Sequence, residues 1–356
     1  RKVTVAADGY AFVDLSADAG EWVRVRTDKD AAKATAQFVY SNADARKAGE
    51  ADPMFAGLAK AGDAKSVGGF VRARGENLKT LAVAAVSIDG KQVADAGYYE
   101  LDADLKLKRV DDAKAQEFTK KSTEIPQGVV SVDAASVVYV DDAGKRWRLP
   151  KGDAALDEVT GVGLSRISRE VATERDLFNA HGTFYELPAE NAGGFAKVRP
   201  VATHNRRVHD YCSYRGLTII TGISPQIGDA PHVILADDGK AAVWAGTIDD
   251  LWKLGKAVGV GGPWKETAVK ANAPSDPYLM TGYDAKKLTL SQAGADAVVV
   301  RVEVDLTGTG TWAPYQSFTV PAGKPVEHEF PAAFNAYWVR VVADKDCTAT
   351  AQLEYR

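Results

Sequence analysis

Sulfur is scarce in this chain. Of 356 residues, two are cysteine, Cys212 and Cys347, and two are methionine. Two cysteines in unrelated contexts show no framework of spacings that would support a disulfide, and no Cys or His spacing of a zinc site is present. Histidine is thin as well, with five residues. No apolar run approaches the ~18 residues that a membrane-spanning helix needs. Positive charge is not in excess. Lys and Arg number 44 against 48 Asp and Glu, a net charge of -4 with a pI near 5.8. That balance argues against a general nucleic-acid binder, which carries a basic field. No G-x-S-x-G nucleophile motif occurs. Gly259-V-G-G-P-W-K lacks the strand-turn-helix setting of a phosphate loop. No leader segment of the secretory type is visible.

What is present fits a globular β protein. Apolar residues make up 46% and charged residues 26%, the proportions of an ordinary folded chain. The length suits two or three domains. Helical patterning is sparse, with one short charged helix expected over 111–121. An internal repeat stands out. Glu21-W-V-R-V-R-T-D-K-D-A-A-K-A-T-A-Q-F-V-Tyr40 matches Tyr337-W-V-R-V-V-A-D-K-D-C-T-A-T-A-Q-L-E-Tyr355, and Lys2-V-T-V matches Ser317-F-T-V upstream. The C-terminal copy reads as a complete antiparallel β-sandwich, with the alternating strand Val298-V-V-R-V-E-V-D. The first copy holds only the second half of such a module, so the chain is expected to be a fragment of a longer protein.

A second periodicity lies between the copies. Gly97-Y-Y-E-L-D, Gly144-K-R-W-R-L-P and Gly182-T-F-Y-E-L-P share a glycine, an aromatic and a leucine. Asp250-L-W-K-L-G is a looser instance. Short strands surround them, separated by turns such as Asp89-Gly90, Ala143-Gly144 and Asp238-Gly239. A repeat of ~40–50 residues with short strands predicts β-propeller blades, about four here. The expected architecture is all-β: a partial β-sandwich module over 1–45, propeller blades over 46–275 beginning with a linker, and a C-terminal sandwich over 276–356.

One stretch, 181–216, concentrates chemistry. It holds His181, His204 and His209, Arg199, Arg206, Arg207 and Arg215, and Tyr185, Tyr211 and Tyr214. If 203–209 is extended, alternation places His204 with Arg206 on one face and Asn205, Arg207 and His209 on the other. Each has a structural alternative, since histidine and arginine also bridge strands. Glu186, Glu190 and Asn191 form a further polar loop, and Trp264 offers either a sugar-stacking ring or a core residue. Asp305-L-T-G-T-G lacks a full calcium ligand set.

The phrases Arg175-D-L-F-N-A-H-G-T-F-Y-E-L-P, Thr203-H-N-R-R-V-H-D-Y-C-S-Y-R-G, Gly261-G-P-W-K-E-T and Ser275-D-P-Y-L-M-T-G-Y-D resemble bacterial seven-bladed propeller polysaccharide lyases, of the rhamnosyl-glucuronate lyase and ulvan lyase type. The resemblance implies a secreted or periplasmic protein acting on uronate polysaccharides or oligosaccharides, with a calcium ion in a complete propeller and no other cofactor assigned. β-Elimination needs a base at the sugar C5 proton, a cation on the carboxylate and a proton donor for the leaving oxygen. On that reading His204 is the base or acid, Arg206 the carboxylate clamp, and Tyr211, Tyr214 and His209 the further catalytic candidates. His181, Arg199, Asn205, Arg207 and Trp264 are the substrate-binding candidates. The alternatives are a non-catalytic glycan-binding or scaffold propeller, and a propeller glycoside hydrolase.

Overall fold

A continuous apolar run over residues 81–86, buried on both faces, and a glycine hairpin organise the first sheet. β1 (Lys65–Arg74), β2 (Thr80–Asp89), β3 (Gln92–Leu101) and β4 (Leu107–Arg109) lie antiparallel in chain order. Asp89 pairs with Gln92, leaving Gly90 and Lys91 as a two-residue hairpin, with Gly90 at φ 58°. Only a residue without a Cβ takes that angle at no cost. The sheet carries α1 (Ala113–Ser122), whose start is capped by the Asp112 carboxylate accepting from Ala115 N at 2.9 Å. This is a computed structural model that describes residues 2–7, 9–15, 22–31, 33–36, 47, 49–124, 128–157, 166–172, 175–227, 230–331 and 334–356.

The remaining strands repeat the theme. β5 (Val130–Val132), β6 (Val137–Val140) and β7 (Arg146–Leu149) form an antiparallel meander. β8 (Ser168–Ala172), β9 (Arg175–Ala180), β10 (Thr183–Leu187) and β11 (Arg199–Thr203) form a four-stranded sheet in sequential order. β12 (Tyr211–Tyr214), β13 (Leu217–Ile220), β14 (Val233–Leu235) and β15 (Ala242–Gly246) form another, in the order β12-β13-β15-β14. The C-terminal part contributes β16 (Gly259–Val269), β17 (Tyr278–Leu279), β18 (Lys286–Gln292), β19 (Val298–Asp305), β20 (Ala313–Val320), β21 (Val326–Glu329), β22 (Trp338–Ala343) and β23 (Cys347–Tyr355). One of its sheets runs β16-β23-β18-β21. The other runs β20-β19-β22-β17 and continues through a parallel β17–β7 contact into β7-β6-β5, giving seven strands. The chain is therefore all-β in class.

Among the described residues, three apolar cores hold these sheets. The first sheet packs on the β12–β15 sheet through Val71, Leu81, Tyr99, Tyr214 and Val243. The β12–β15 sheet packs on the β8–β11 sheet through Tyr211, Ile220, Trp244, Leu177 and Phe184. The other face of β8–β11 joins the C-terminal module through Phe178, Tyr185, Trp147 and Trp338. Neighbours Leu177 and Phe178, and Phe184 and Tyr185, thus enter opposite cores, as period two requires of a sheet buried on both faces.

The first strands β1, β8 and β12 lie side by side, and one carboxylate ties them. Asp210, wholly buried, accepts from Val71 N at 2.9 Å, Tyr211 N at 2.8 Å and Arg166 Nε at 2.7 Å. Arg166 also donates to Thr123 O, and Arg169 to Val71 O and Tyr211 O. A buried ion pair of this kind holds only because its remaining hydrogen-bond capacity is filled.

Near the start, residues 2–7, 9–15, 22–31 and 33–36 lie in no helix or strand. Phe12 meets Phe334 edge-on at 5.8 Å. Residues 16–21, 32, 37–46 and 48, which include parts of the first repeat copy and of the expected linker, lie outside the described residues.

Candidate functional site

The turn before β12 gathers most of the sequence-derived candidates and packs them inward. His204 is 7% exposed and lies against the Phe184 ring at 4.4 Å between centroids. Its Nδ1 accepts from Arg206 N at 2.9 Å, so Nε2 carries the proton and donates to Asn179 Oδ1 at 3.1 Å. Burial, with the Arg206 charge added, depresses its pKa to about 3. The ring is neutral at working pH, with both nitrogens occupied. Arg206 Nη1 donates to Leu58 O at 3.0 Å, and Arg207 N donates to Ala59 O at 3.0 Å. Asn205, at φ 47°, takes Asp153 N on its Oδ1 at 2.9 Å. These residues hold the turns 58–61 and 152–153 against the β10–β11 hairpin.

His209 is buried beside Phe70, with Nδ1 at Gly69 and Nε2 buried without a hydrogen-bond partner. Burial lowers its pKa. Tyr211 donates its hydroxyl to Leu177 O at 2.7 Å and Tyr214 to Lys79 O at 2.5 Å. The two rings sit in different cores, because Tyr211 and Tyr214, three apart on one strand, point to opposite faces. His181, at φ 48°, accepts Gly152 N on Nδ1 at 2.9 Å and bonds Asp157 Oδ1 through Nε2 at 2.8 Å. Desolvation pushes the Asp157 carboxyl up, but His181 and Lys151 outweigh it and hold it below the ordinary carboxylate range. Trp264 is 6% exposed in the core under β16, with no ring face open to a sugar. His204, Arg206, His209, Tyr211 and Tyr214 therefore do not line one open cleft.

Arg199 is placed differently. It lies on β11 opposite Glu186 of β10, and the two side chains form an ion pair on the same face. A bulge between Phe184 and Tyr185 leaves Val201 without a partner in the ladder. This extra residue bends β11 locally. Against this end of the sheet lies a 3₁₀ helix, Ile248–Leu254. Its start carries a capping box: Asp250 Oδ2 accepts from Thr247 N at 2.8 Å, and the Thr247 side chain takes the Asp250 backbone N–H. Desolvation raises the Asp250 pKa, yet the bonds from Lys253 and Thr247 win and bring it down to about 2. Leu251 and Leu254 turn into the core. Asp249 is exposed, and Trp252 is half-buried, packed against the same core.

Sheet and helix enclose a cleft of about 220 Å³. Its polar and aromatic lining is Asp176, Glu186, Arg199, Asp249 and Trp252, over a floor that includes Leu177 and Val201. Three carboxylates, one guanidinium and one indole around an apolar floor can bond hydroxyl groups while the ring covers an apolar face. Asp176, Asp249 and Trp252 do not stand out in the sequence as site residues. The available signal is Thr247-I-D-D-L-W-K-L, where a capping box sets a tryptophan one position beyond a buried leucine. Among the described residues, no group of three or more His, Cys, Asp and Glu side chains is placed to hold a metal ion.

No protein-family model and no curated protein sequence matches the chain. Among solved structures, it is similar to a glycoside hydrolase family 43 arabinoxylan arabinofuranohydrolase from Bacillus subtilis at 12% identity and a TM-score of 0.18, over 80% of this chain and 77% of that one. An exo-beta-1,3-galactanase from Phanerochaete chrysosporium gives 10% identity and a TM-score of 0.17, over 82% of each chain. PirA gives 12% identity and a TM-score of 0.18, over 25% of this chain and 90% of PirA. Scores at this level establish no shared fold, and no residue role is carried over from these proteins.

Proposed function

We propose that this protein is a carbohydrate-active β-propeller-type protein with an appended C-terminal β-sandwich, and that it binds glycan in the cleft between the β10–β11 edge and the 3₁₀ helix. One observation carries the reading: the half-buried Trp252 lines a cleft together with Asp176, Glu186, Asp249 and Arg199. A pyranose presents an apolar C–H face and a ring of hydroxyls, and this lining answers both. Successive antiparallel sheets whose first strands gather around Asp210 support the propeller arrangement. A secreted or periplasmic location belongs to the same reading, because a polymeric glycan is met outside the cytoplasm.

The carboxylates favour a second reading, hydrolysis, in which one acid protonates the leaving oxygen and another activates water or attacks. Elimination on a uronate, which the sequence resemblance implies, asks His204 to leave its bonds to Asn179 and Arg206 and reach solvent. One experiment separates the three. The full chain is incubated with neutral and uronate-bearing polysaccharides, and binding, new reducing ends and unsaturated-uronate absorbance are followed. The expected result is saturable binding that Trp252→Ala weakens ~10-fold or more without loss of the fold. Reducing ends lost in Glu186→Gln would establish hydrolysis. Ultraviolet-absorbing product lost in His204→Ala would establish elimination and overturn the cleft assignment. Binding that Trp252→Ala leaves intact would overturn it as well.

A further inference from the structure

Strand β18 breaks its own apolar rule at one position. Lys286, Leu288, Leu290 and Gln292 alternate toward the interior, and Leu288 and Leu290 belong to the C-terminal core. Lys286 stands where a third aliphatic residue fits the pattern, and it is 4% exposed. An ammonium taken out of water is costly unless its donors are met. Three acceptors stand opposite its three donors. Nζ donates to Tyr283 O, to Phe334 O at 2.8 Å and to Asp284 O at 3.4 Å.

These acceptors are main-chain carbonyls from two segments outside the strands, 281–285 and 334–336. Carbonyl oxygens that converge on one point are what replaces the water shell of a bound cation. The Asp284 carboxylate is held by Lys256 Nζ at 2.9 Å. Neutral carbonyls beside a carboxylate that already has its counter-charge suit a monovalent ion, whereas a divalent ion gathers several carboxylates. Burial lowers the Lys286 pKa to about 8, with Asp284 opposing the shift and Lys256 adding to it, so the group is still an ammonium at neutral pH. The same turn joins two parts of the fold. Tyr283 stacks on Tyr355 at 4.3 Å between centroids. Gly282 lies so close to β11 that a Cβ there would sit 2.7 Å from Pro200 Cγ.

We propose that the carbonyls of Tyr283, Asp284 and Phe334 form a monovalent-cation site where the C-terminal module meets the β8–β11 sheet. Lys286 fills this site as a tethered ion, and a free methylammonium or potassium ion binds there once the side chain is cut back.

The test compares thermal melting of the full chain and of Lys286→Ala in the chlorides of methylammonium, potassium and tetramethylammonium at equal ionic strength. Tetramethylammonium carries the charge but has no N–H donor and is too large for the cage. In it, Lys286→Ala should melt ~5 °C or more below the unaltered chain. Methylammonium or potassium should recover half of that loss or more, with no matching rise in the unaltered chain or in Lys286→Met, whose stem still fills the space. If Lys286→Ala does not fold in tetramethylammonium, folding restored by either small cation counts as recovery. Recovery by neither cation, or equal recovery in Lys286→Met, would overturn the proposal. The unaltered chain gives an independent reading by NMR: a lysine ammonium signal protected from exchange with water at neutral pH and missing from Lys286→Met. A chain without that protected signal would overturn the proposal as well.

Discussion

At the scale of single residues, Asp210 joins more of the molecule than any of the histidines. Its carboxylate is fixed by β1, β12 and Arg166 at once. Asp210→Asn leaves the buried Arg166 guanidinium without its counter-charge, so chemical denaturation should show a loss of about 3 kcal/mol or more. His204 yields a pH prediction. Its folded pKa, about 3, lies below the ordinary 6.5, so below pH 6.5 the unfolded chain takes up a proton that the folded chain refuses. Stability therefore falls as pH drops. Its share amounts to about 2 kcal/mol at pH 5, and His209 adds to it in the same direction. Denaturant unfolding at pH 7 and pH 5 should show the fall, and His204→Gln should flatten it by about one proton's worth. A stability that rises on acidification would contradict this account.

At the scale of elements, the 3₁₀ helix Ile248–Leu254 sets the cleft. Removing its cap with Thr247→Ala should cost about 1 kcal/mol and lower glycan affinity while Trp252 itself is unchanged, which calorimetric titration would read. Gly222 shows how tightly the neighbouring turn is built. It sits at φ 108°, and a Cβ there would lie 1.9 Å from Arg207 O. Gly222→Ala should destabilise by about 3 kcal/mol or more, seen as a lower melting temperature. These elements differ in how far the sequence announces them. The hairpin at Asp89-Gly90, the helix over Ala113–Ser122 and the alternating β19 are legible, because local chemistry decides them. The aromatics after Gly97, Gly144 and Gly182 do mark inner strands β3, β7 and β10, and Tyr99, Trp147 and Tyr185 are buried. Burial of His204, His209, Tyr211 and Trp264 is not legible, because it depends on sheets brought from elsewhere in the chain. The cleft is illegible for the same reason: Asp176 and Trp252 meet only through the docking of a helix 76 residues away.

At the scale of the whole molecule, the boundary that sequence repeats draw at residue 276 is crossed by hydrogen bonds. β17 pairs in parallel with β7 at Tyr278 and Arg148, and Arg148 also bonds Asp276 at 3.0 Å. Trp147 and Trp338 touch at 4.5 Å between centroids, and Trp338 Nε1 donates to Ala196 O at 2.8 Å. One sheet thus runs continuously across that expected boundary. Heat should melt residues 128–356 in one calorimetric transition with matching calorimetric and van't Hoff enthalpies; two resolved peaks would count against this. Anyone dividing the gene at that boundary would strip Trp147, Phe178 and Phe195 of their cover on one product and leave β17 as a bare edge on the other. Expression that respects the shared sheet has to keep both halves on one polypeptide.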